Sequence, residues 1–467
     1  MVFSSGVFLF LFLPTAVAAY HILPARARNL FLFAASLVFY AWEEPVYVAI
    51  MLFSTVFDYV NGRLLEKEGM KQRTRKLILV LSVTVNIGLL AFFKYTNFII
   101  DTANGIFGVS VSLIRLSLPV GISFYTFQTL SYTVDVYRGK VRAQRNIIDF
   151  GMYICMFPQL IAGPIVRYAD IEDRIKDRPR DPEDAAAGIF RFVCGLSKKV
   201  LIANQFGALW DDISARAGTL PAAAAWIGAL AFAFQIYFDF SGYSDMAVGI
   251  GRVLGFRLPE NFRYPYEATS VTDFWRRWHI TLGVWFREYV YIPLGGNKKG
   301  LPRQIFNMLV VWALTGIWHG AGWNFLLWGL FFFVLLVIEK TFLLKLLKRA
   351  PAAVGRLWTL LAVLFSWTLF ACDDTGLLLR YLSDLFGANG FFSPSVLYYL
   401  SSYGAVFAVA ALFSTHFPKA VAERAVGRIK NRPAAFVIKA AAALIALALS
   451  IVFVVGDAYD PFLYFRF

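Results

Sequence analysis

Two histidines stand where a titratable ring is unusual. His319 lies within Gly316-Ile317-Trp318-His319-Gly320-Ala321-Gly322-Trp323-Asn324, where one apolar run ends and the next begins. An ionisable side chain inside a membrane segment is a functional-site hypothesis by default, and glycines beside it let backbone or substrate approach closely. Burial among apolar groups keeps an imidazole neutral and able to accept a proton, which a general base requires. The competing reading is a structural histidine packed between tryptophans. The second histidine, His279, falls in residues 257–303, a stretch rich in arginine, acid, tryptophan and tyrosine. Such a mixture cannot face hydrocarbon at mid-depth. It suits an interfacial or re-entrant helix buried in protein.

Ser270-Val271-Thr272-Asp273 resembles a capping box, so a helix is predicted to start there with Asp273 in its first turn. Continued at about 100° per residue, it places Trp275, Trp278, Leu282, Phe286 and Tyr289 on one face, with His279 inside that apolar stripe. Arg276 and Arg287 then fall together on the flank, while Arg277 and Glu288 point away. The bland reading is an amphipathic surface helix whose arginines reach lipid phosphates. The sharper one is that Arg276 and Arg287 border a pocket for an anionic cofactor.

Other chemistries fit less well. There is no HExxH and no close His/Cys/Asp cluster, so no metal site is expected. Cys155, Cys194 and Cys372 are far apart and read as small buried hydrophobes. There is no glycine-rich phosphate loop followed by lysine and no G-x-S-x-G elbow. Phe238-Asp239-Phe240-Ser241-Gly242-Tyr243-Ser244-Asp245 sets two carboxylates beside an apolar run and reads as a polar, hydrogen-bonded kink. His21 and His416 lie near predicted span ends and read as interfacial.

The elements that must position these residues are membrane helices. Of the 467 residues, 59% are hydrophobic and only 16% charged, against about 25% charged in soluble domains. The deficit runs along the whole chain. The net charge of +15 sits between apolar runs, as in cytoplasmic loops, and nucleic-acid binding is not expected. Apolar runs near 3–20, 29–42, 45–61, 77–94, 149–166, 186–205, 222–240, 304–319, 322–341, 357–371, 396–415 and 434–455 are candidate spans, several of them short. The first has no basic residue before it and reads as a span, not a cleaved signal. Pro119-Val120-Gly121 predicts broken helices across 97–137, and Pro221 followed by Ala222–Ala225 predicts a helix start. The basic loops at Arg26/Arg28, 62–76, 345–356 and 419–432 are predicted to be cytoplasmic. Both termini and the Trp42-Glu43-Glu44-Pro45 hairpin then lie outside.

With these motifs assembled, the chain resembles the membrane-bound O-acyltransferase family, and the branch that holds the membrane subunit of bacterial alginate O-acetyltransferase. The resemblance rests on Phe157–Ile165, Tyr237–Ala247, Asn261–Tyr266, Asp273–His279, Tyr291–Asn297, Trp318-His319-Gly320 and the terminal Pro461–Phe467, which occur in family order over most of the chain. The start, including Leu37–Trp42, is similar to the same branch. The resemblance implies an all-α polytopic protein of about eleven spans, with re-entrant and interfacial helices around a central funnel. It implies a single integral-membrane domain over 1–467, with the funnel region at 257–303 and the histidine-bearing helices at 304–341. His319 matches the family's catalytic histidine and His279 its second histidine.

The family moves an acyl group from a thioester to a hydroxyl. Here that implies acetyl-CoA as a cytoplasmic donor substrate, with no tightly bound cofactor and a bacterial cytoplasmic-membrane location. Arg276, Arg287 and Trp278 are the expected donor contacts, and His319 the expected base. His279 is expected to orient the donor or to hydrogen-bond His319, and Asn324 to donate to the oxyanion. In the polysaccharide branch an SGNH-type esterase-like protein usually completes transfer to the glycan. No such domain is present in this sequence, so a separate partner is expected. Rival readings are D-alanyl transfer to teichoic acid from a carrier-protein thioester, a non-catalytic polysaccharide export channel, and lipid acylation.

Overall fold

The computed structural model describes residues 1–467 except 115, 180, 430, 457–461 and 464–467. Helix is the only regular secondary structure among the described residues, with no strand among them. Among the described residues, six helices are long and apolar enough to cross a membrane: Val48–Leu65, Gln72–Phe107, Ala222–Val253, Ala352–Ala371, Pro394–Phe413 and Arg432–Gly456. Gln72–Phe107, at 36 residues, is about 54 Å long and outreaches a hydrocarbon core of about 30 Å. Arg432–Gly456 buries only Ser450 among its described side chains, as expected of a lipid-facing helix.

The chain divides into two compact units. The first comprises Met1–Phe192, Ser244–Glu260 and Val284–Val290. Its interior is the Ile122–Tyr137 helix, buried along nearly its whole length. Part of its polarity is satisfied within the helix, where the Thr129 and Ser131 hydroxyls donate to the Thr126 and Gln128 carbonyls at 3.0 and 2.8 Å. Asp58, from Val48–Leu65, accepts the Ser82 hydroxyl at 2.6 Å, the Asn86 amide at 2.7 Å and the Thr133 hydroxyl at 3.4 Å. Three helices are thereby tied by one carboxylate. The expected break before this helix is present: Gln72–Phe107 ends on left-handed Gly108, and the next helix begins at Ile122. Residues 149–166 do not form the continuous span expected. Ile147–Cys155 stops at extended Met156 and only Phe157–Leu160 follows, because Pro158 supplies no backbone N–H for a continuing helix.

The second unit comprises Val193–Tyr243, Asn261–Gly283 and Tyr291–Phe467. The helix predicted after Pro221 begins at Ala222 and runs to Val253, with Phe238–Asp245 inside it. Asp239 forms a buried ion pair with Lys199 at 2.9 Å, and its other oxygen accepts the N–H of Leu463 at 2.8 Å. Phe462 packs on Tyr243, with ring centroids 5.0 Å apart. Phe462 and Leu463 are the described part of the terminal motif; the remainder of Pro461–Phe467 lies outside the described residues. Gly300–His319 and Trp323–Ile338 form an antiparallel hairpin. A β-carbon on Gly329 would stand 2.4 Å from the Trp312 carbonyl oxygen and 3.2 Å from the Gly316 α-carbon. The two backbones therefore touch, as small residues permit in membrane helix pairs.

Candidate active site

The hairpin places His319 as the last residue of its first helix, followed by extended Gly320. Its imidazole is buried in an aromatic cage. Trp318 and Trp328 lie with ring centroids 4.9 Å away and Phe370 5.5 Å away. Asn324, at the start of the second helix, donates its amide to the Phe370 carbonyl at 3.2 Å. It thus fastens the residue that covers His319.

His279 is held differently from the sequence-based expectation. The helix starting at Ser270 does exist: the Ser270 hydroxyl accepts the Asp273 N–H at 3.0 Å, and Asp273 pairs with Arg277 at 3.0 Å. It does not continue to Tyr289. It ends at Arg277, and a second helix runs from Ile280 to Phe286. Asn261 makes the break. Its backbone carbonyl takes the Ile280 N–H at 2.9 Å and its side-chain oxygen takes the Thr281 N–H at 3.3 Å, while the Arg277 carbonyl accepts from Arg263 at 2.9 Å. The amides that would extend the helix are diverted. His279, at the junction, adopts φ +43°, the left-handed region. That costs a non-glycine residue about 1–3 kcal/mol and is typical of sites held by their surroundings.

The break corrects the face predicted for Arg276 and Arg287. They do not share one helix flank; Arg276 belongs to the second unit and Arg287 to the first, and both are exposed. Trp278 is buried among Phe274, Phe262, Tyr266, Tyr237 and Trp367, the last with a centroid 4.9 Å away.

Asn261 also sets the tautomer of His279. The Asn261 side-chain oxygen already receives the Thr281 N–H and, at 2.9 Å, the Thr281 hydroxyl, so it is an acceptor. His279 Nδ1, 3.1 Å away, must donate to it. The neutral ring then carries its lone pair on Nε2, a buried atom without a protein partner. Burial pushes the pKa of His279 down to about 3, so the ring stays neutral at physiological pH. Phe240 closes one side at 4.8 Å and the Trp318 indole another at 5.9 Å. Both imidazoles therefore contact Trp318.

Two positioning residues were not singled out from the sequence. Asn261 enters the sequence reading only as the first residue of the Asn261–Tyr266 motif. Glu339, fully buried, receives the N–H groups of Val271 and Thr272 at 2.6 and 2.8 Å, the Thr272 hydroxyl at 2.7 Å and the Trp358 indole N–H at 3.1 Å. A carboxylate thus caps the helix leading to His279. The available signal was a lone acid at the end of a long apolar run. Glu339→Leu leaves these donors without an acceptor and is expected to destabilise the protein by about 3 kcal/mol or more. Thermal unfolding in detergent checks this; an unchanged midpoint would remove Glu339 from the scaffold.

The profile of the membrane-bound O-acyltransferase family matches residues 41–374, which include both histidines. The chain belongs to the membrane-bound O-acyltransferase family. It is therefore a polytopic membrane protein and an O-acyltransferase. The chain is 41% identical to a protein named as a probable alginate O-acetylase of Azotobacter vinelandii, over 83% of this chain and 78% of that one. It is 35% identical to a peptidoglycan O-acetyltransferase of Helicobacter pylori, over 84% of this chain and 80% of that one. A teichoic acid D-alanyltransferase of Lacticaseibacillus rhamnosus is 27% identical over 66% of this chain and 77% of its own length.

Proposed function

We propose that this acyltransferase O-acetylates an exported polysaccharide, taking the acetyl group from a cytoplasmic thioester, acetyl-CoA. The observation that carries the reading is the caged, glycine-flanked His319 sharing Trp318 with neutral His279, in a chain more similar to polysaccharide O-acetyltransferases than to D-alanyltransferases. His319 takes the proton of the acceptor hydroxyl as its oxygen attacks the thioester carbonyl. The tetrahedral intermediate collapses, the carbon–sulfur bond breaks, and the thiolate leaves and is protonated. His279 offers Nε2 as a hydrogen-bond acceptor that orients the hydroxyl or the donor. The acceptor is a glycan hydroxyl or the serine of an SGNH-type partner that passes the acetyl group on. Arg276, exposed in the unit that carries both histidines, binds donor phosphates as the thioester approaches. Radiolabelled acetyl transfer from acetyl-CoA in proteoliposomes, with and without such a partner, tests the reading. Transfer only from a carrier-protein thioester would replace it with the D-alanyl type.

Asn261→Leu removes the acceptor that fixes the His279 tautomer and is expected to lower kcat/KM by about 10–100-fold, equivalent to one unsatisfied buried donor. Asn261→Asp keeps an acceptor there and is expected to retain more activity. Equal losses in both variants, with equal loss of stability, would reduce Asn261 to a structural role.

The proposed direction of transfer requires the 62–76 loop in the cytoplasm and the 42–45 hairpin outside. With the native cysteines removed, Glu44→Cys is expected to react with an impermeant maleimide in intact cells. Lys71→Cys is expected to react only after permeabilisation. The reverse pattern would invert the direction.

A further inference from the structure

A second concentration of chemistry lies in the first unit. The C-terminal ends of Leu13–Ile22, Tyr168–Lys176 and Ala222–Val253 and the N-terminal ends of Ala25–Ala41 and Pro182–Ser197 meet around a cleft of about 220 Å³. Five arginines line it, Arg28, Arg174, Arg178, Arg252 and Arg257, against two carboxylates, Asp181 and Asp184.

The acids do not balance the bases. Asp181 is committed to the helix start, accepting the N–H groups of Glu183 and Asp184 at 3.0 and 3.2 Å. Asp184 stands 3.9 Å from Arg252 and 3.7 Å from Arg257, loose contacts shared by two cations.

Deeper in, the guanidiniums of Arg28 and Arg178 lie over the same Tyr20 ring, at 5.1 and 5.7 Å from its centre. The Tyr20 hydroxyl is fixed by donating to the Leu254 carbonyl at 2.7 Å, so the ring is a rigid floor. Arg28 is buried and gives its Nε to the Leu23 carbonyl at 3.3 Å. Arg178 gives one Nη to Asn29, while its other Nη is buried without a partner. Burial, and less strongly the neighbouring charge of Arg28, disfavour the charged form of Arg178, partly offset by Tyr20 and Asp149.

A buried Arg178 Nη without a partner, beside a second guanidinium on the same ring, favours an anion there, and the fork of arginine matches the oxygens of a phosphate. The cleft lies where helices end, at the Arg26/Arg28 helix start whose charge assigns it to the cytoplasmic surface. Phosphates are available there from two sources, lipid headgroups and soluble nucleotides.

We propose that this arginine cleft is a phosphate-binding site, filled by the headgroup of an anionic phospholipid or by the phosphates of a soluble nucleotide thioester such as the acyl donor. None of its residues belongs to the unit that carries the two histidines.

The test reads binding and not acyl transfer, so it stands or falls separately from the proposed reaction. Full-length protein in phosphatidylcholine nanodiscs is titrated with inorganic pyrophosphate and with coenzyme A while its thermal unfolding is followed. A parallel sample carries phosphatidylglycerol in the disc. Wild type is expected to be stabilised by pyrophosphate, and Arg178→Gln/Arg252→Gln to need at least about tenfold more for the same shift, the scale of one lost charge-assisted hydrogen bond. Stabilisation by coenzyme A identifies the soluble source, and stabilisation by phosphatidylglycerol the lipid source. Should the double variant fold poorly, exposed Arg257→Gln gives the same comparison with a smaller loss. Identical responses of wild type and folded variants in all three arms would overturn the proposal.

Discussion

His319→Ala is expected to lower acyl transfer by about 10²–10⁴-fold, the range associated with loss of a general base, while the protein still inserts and folds. The imidazole lies at a hairpin end and is enclosed by Trp318, Trp328 and Phe370. Removing it opens a small cavity but leaves the backbone contacts of the hairpin in place. His319→Gln fills more of that space and cannot act as a base at this position. It is expected to be as inactive as the alanine variant, which separates proton transfer from packing. The loss should appear in kcat, with KM for the donor nearly unchanged, because the base acts as the hydroxyl attacks and not when the thioester binds. Single-turnover acetyl transfer by purified variants, alongside their unfolding midpoints, measures both quantities. Near-normal transfer by well-folded His319→Ala protein would remove the assignment.

The neighbourhood of His319 was legible in the sequence because every cue is local. Two apolar runs flank a Gly-Ala-Gly turn, and a histidine at that turn can only sit at a hairpin end. The capping of Val271–Arg277 by Ser270 was legible for the same reason. His279 was not. Residues 270–289 keep an unbroken helical periodicity, and nothing within them announces the break. The group that makes it, Asn261, is eighteen positions from His279 in the chain. Glu339 is farther still, sixty-eight positions from Val271, whose N–H it accepts. Periodicity reports which face is apolar; it does not report which distant polar group will take a backbone amide away from its helix. The predicted flank of Arg276 and Arg287 failed on this point. The terminal motif shows the opposite balance. Its resemblance to a family pattern was visible, whereas the docking of Leu463 on Asp239 depends on an ion pair to Lys199 that no local pattern encodes.

Gly320→Ala is the most demanding test of how the cage is built. Gly320 has an extended backbone that any residue adopts, so the substitution carries no conformational strain. The difficulty is space: a β-carbon there would lie 2.0 Å from the ring of Phe325. That ring is buried and packs edge-on against Phe370, with centroids 5.0 Å apart, and Phe370 in turn covers His319. Phe325 cannot retreat without moving Phe370, so the added methyl is transmitted to the imidazole. Overpacking of this kind costs about 1–3 kcal/mol of stability, and a base displaced by about 1 Å loses roughly 10²-fold in rate. Gly320→Ala is therefore expected to fold with a lowered unfolding midpoint and about one hundredth of the activity. Phe325→Leu shortens the obstructing side chain. Combined with Gly320→Ala it should recover about tenfold in rate over Gly320→Ala alone, although Phe325→Leu by itself removes a favourable contact. Such a reversal is the signature of coupled neighbours. Strictly additive losses in the double variant would mean that Gly320 serves the acceptor or the donor directly, and that the cage is not what the methyl disturbs.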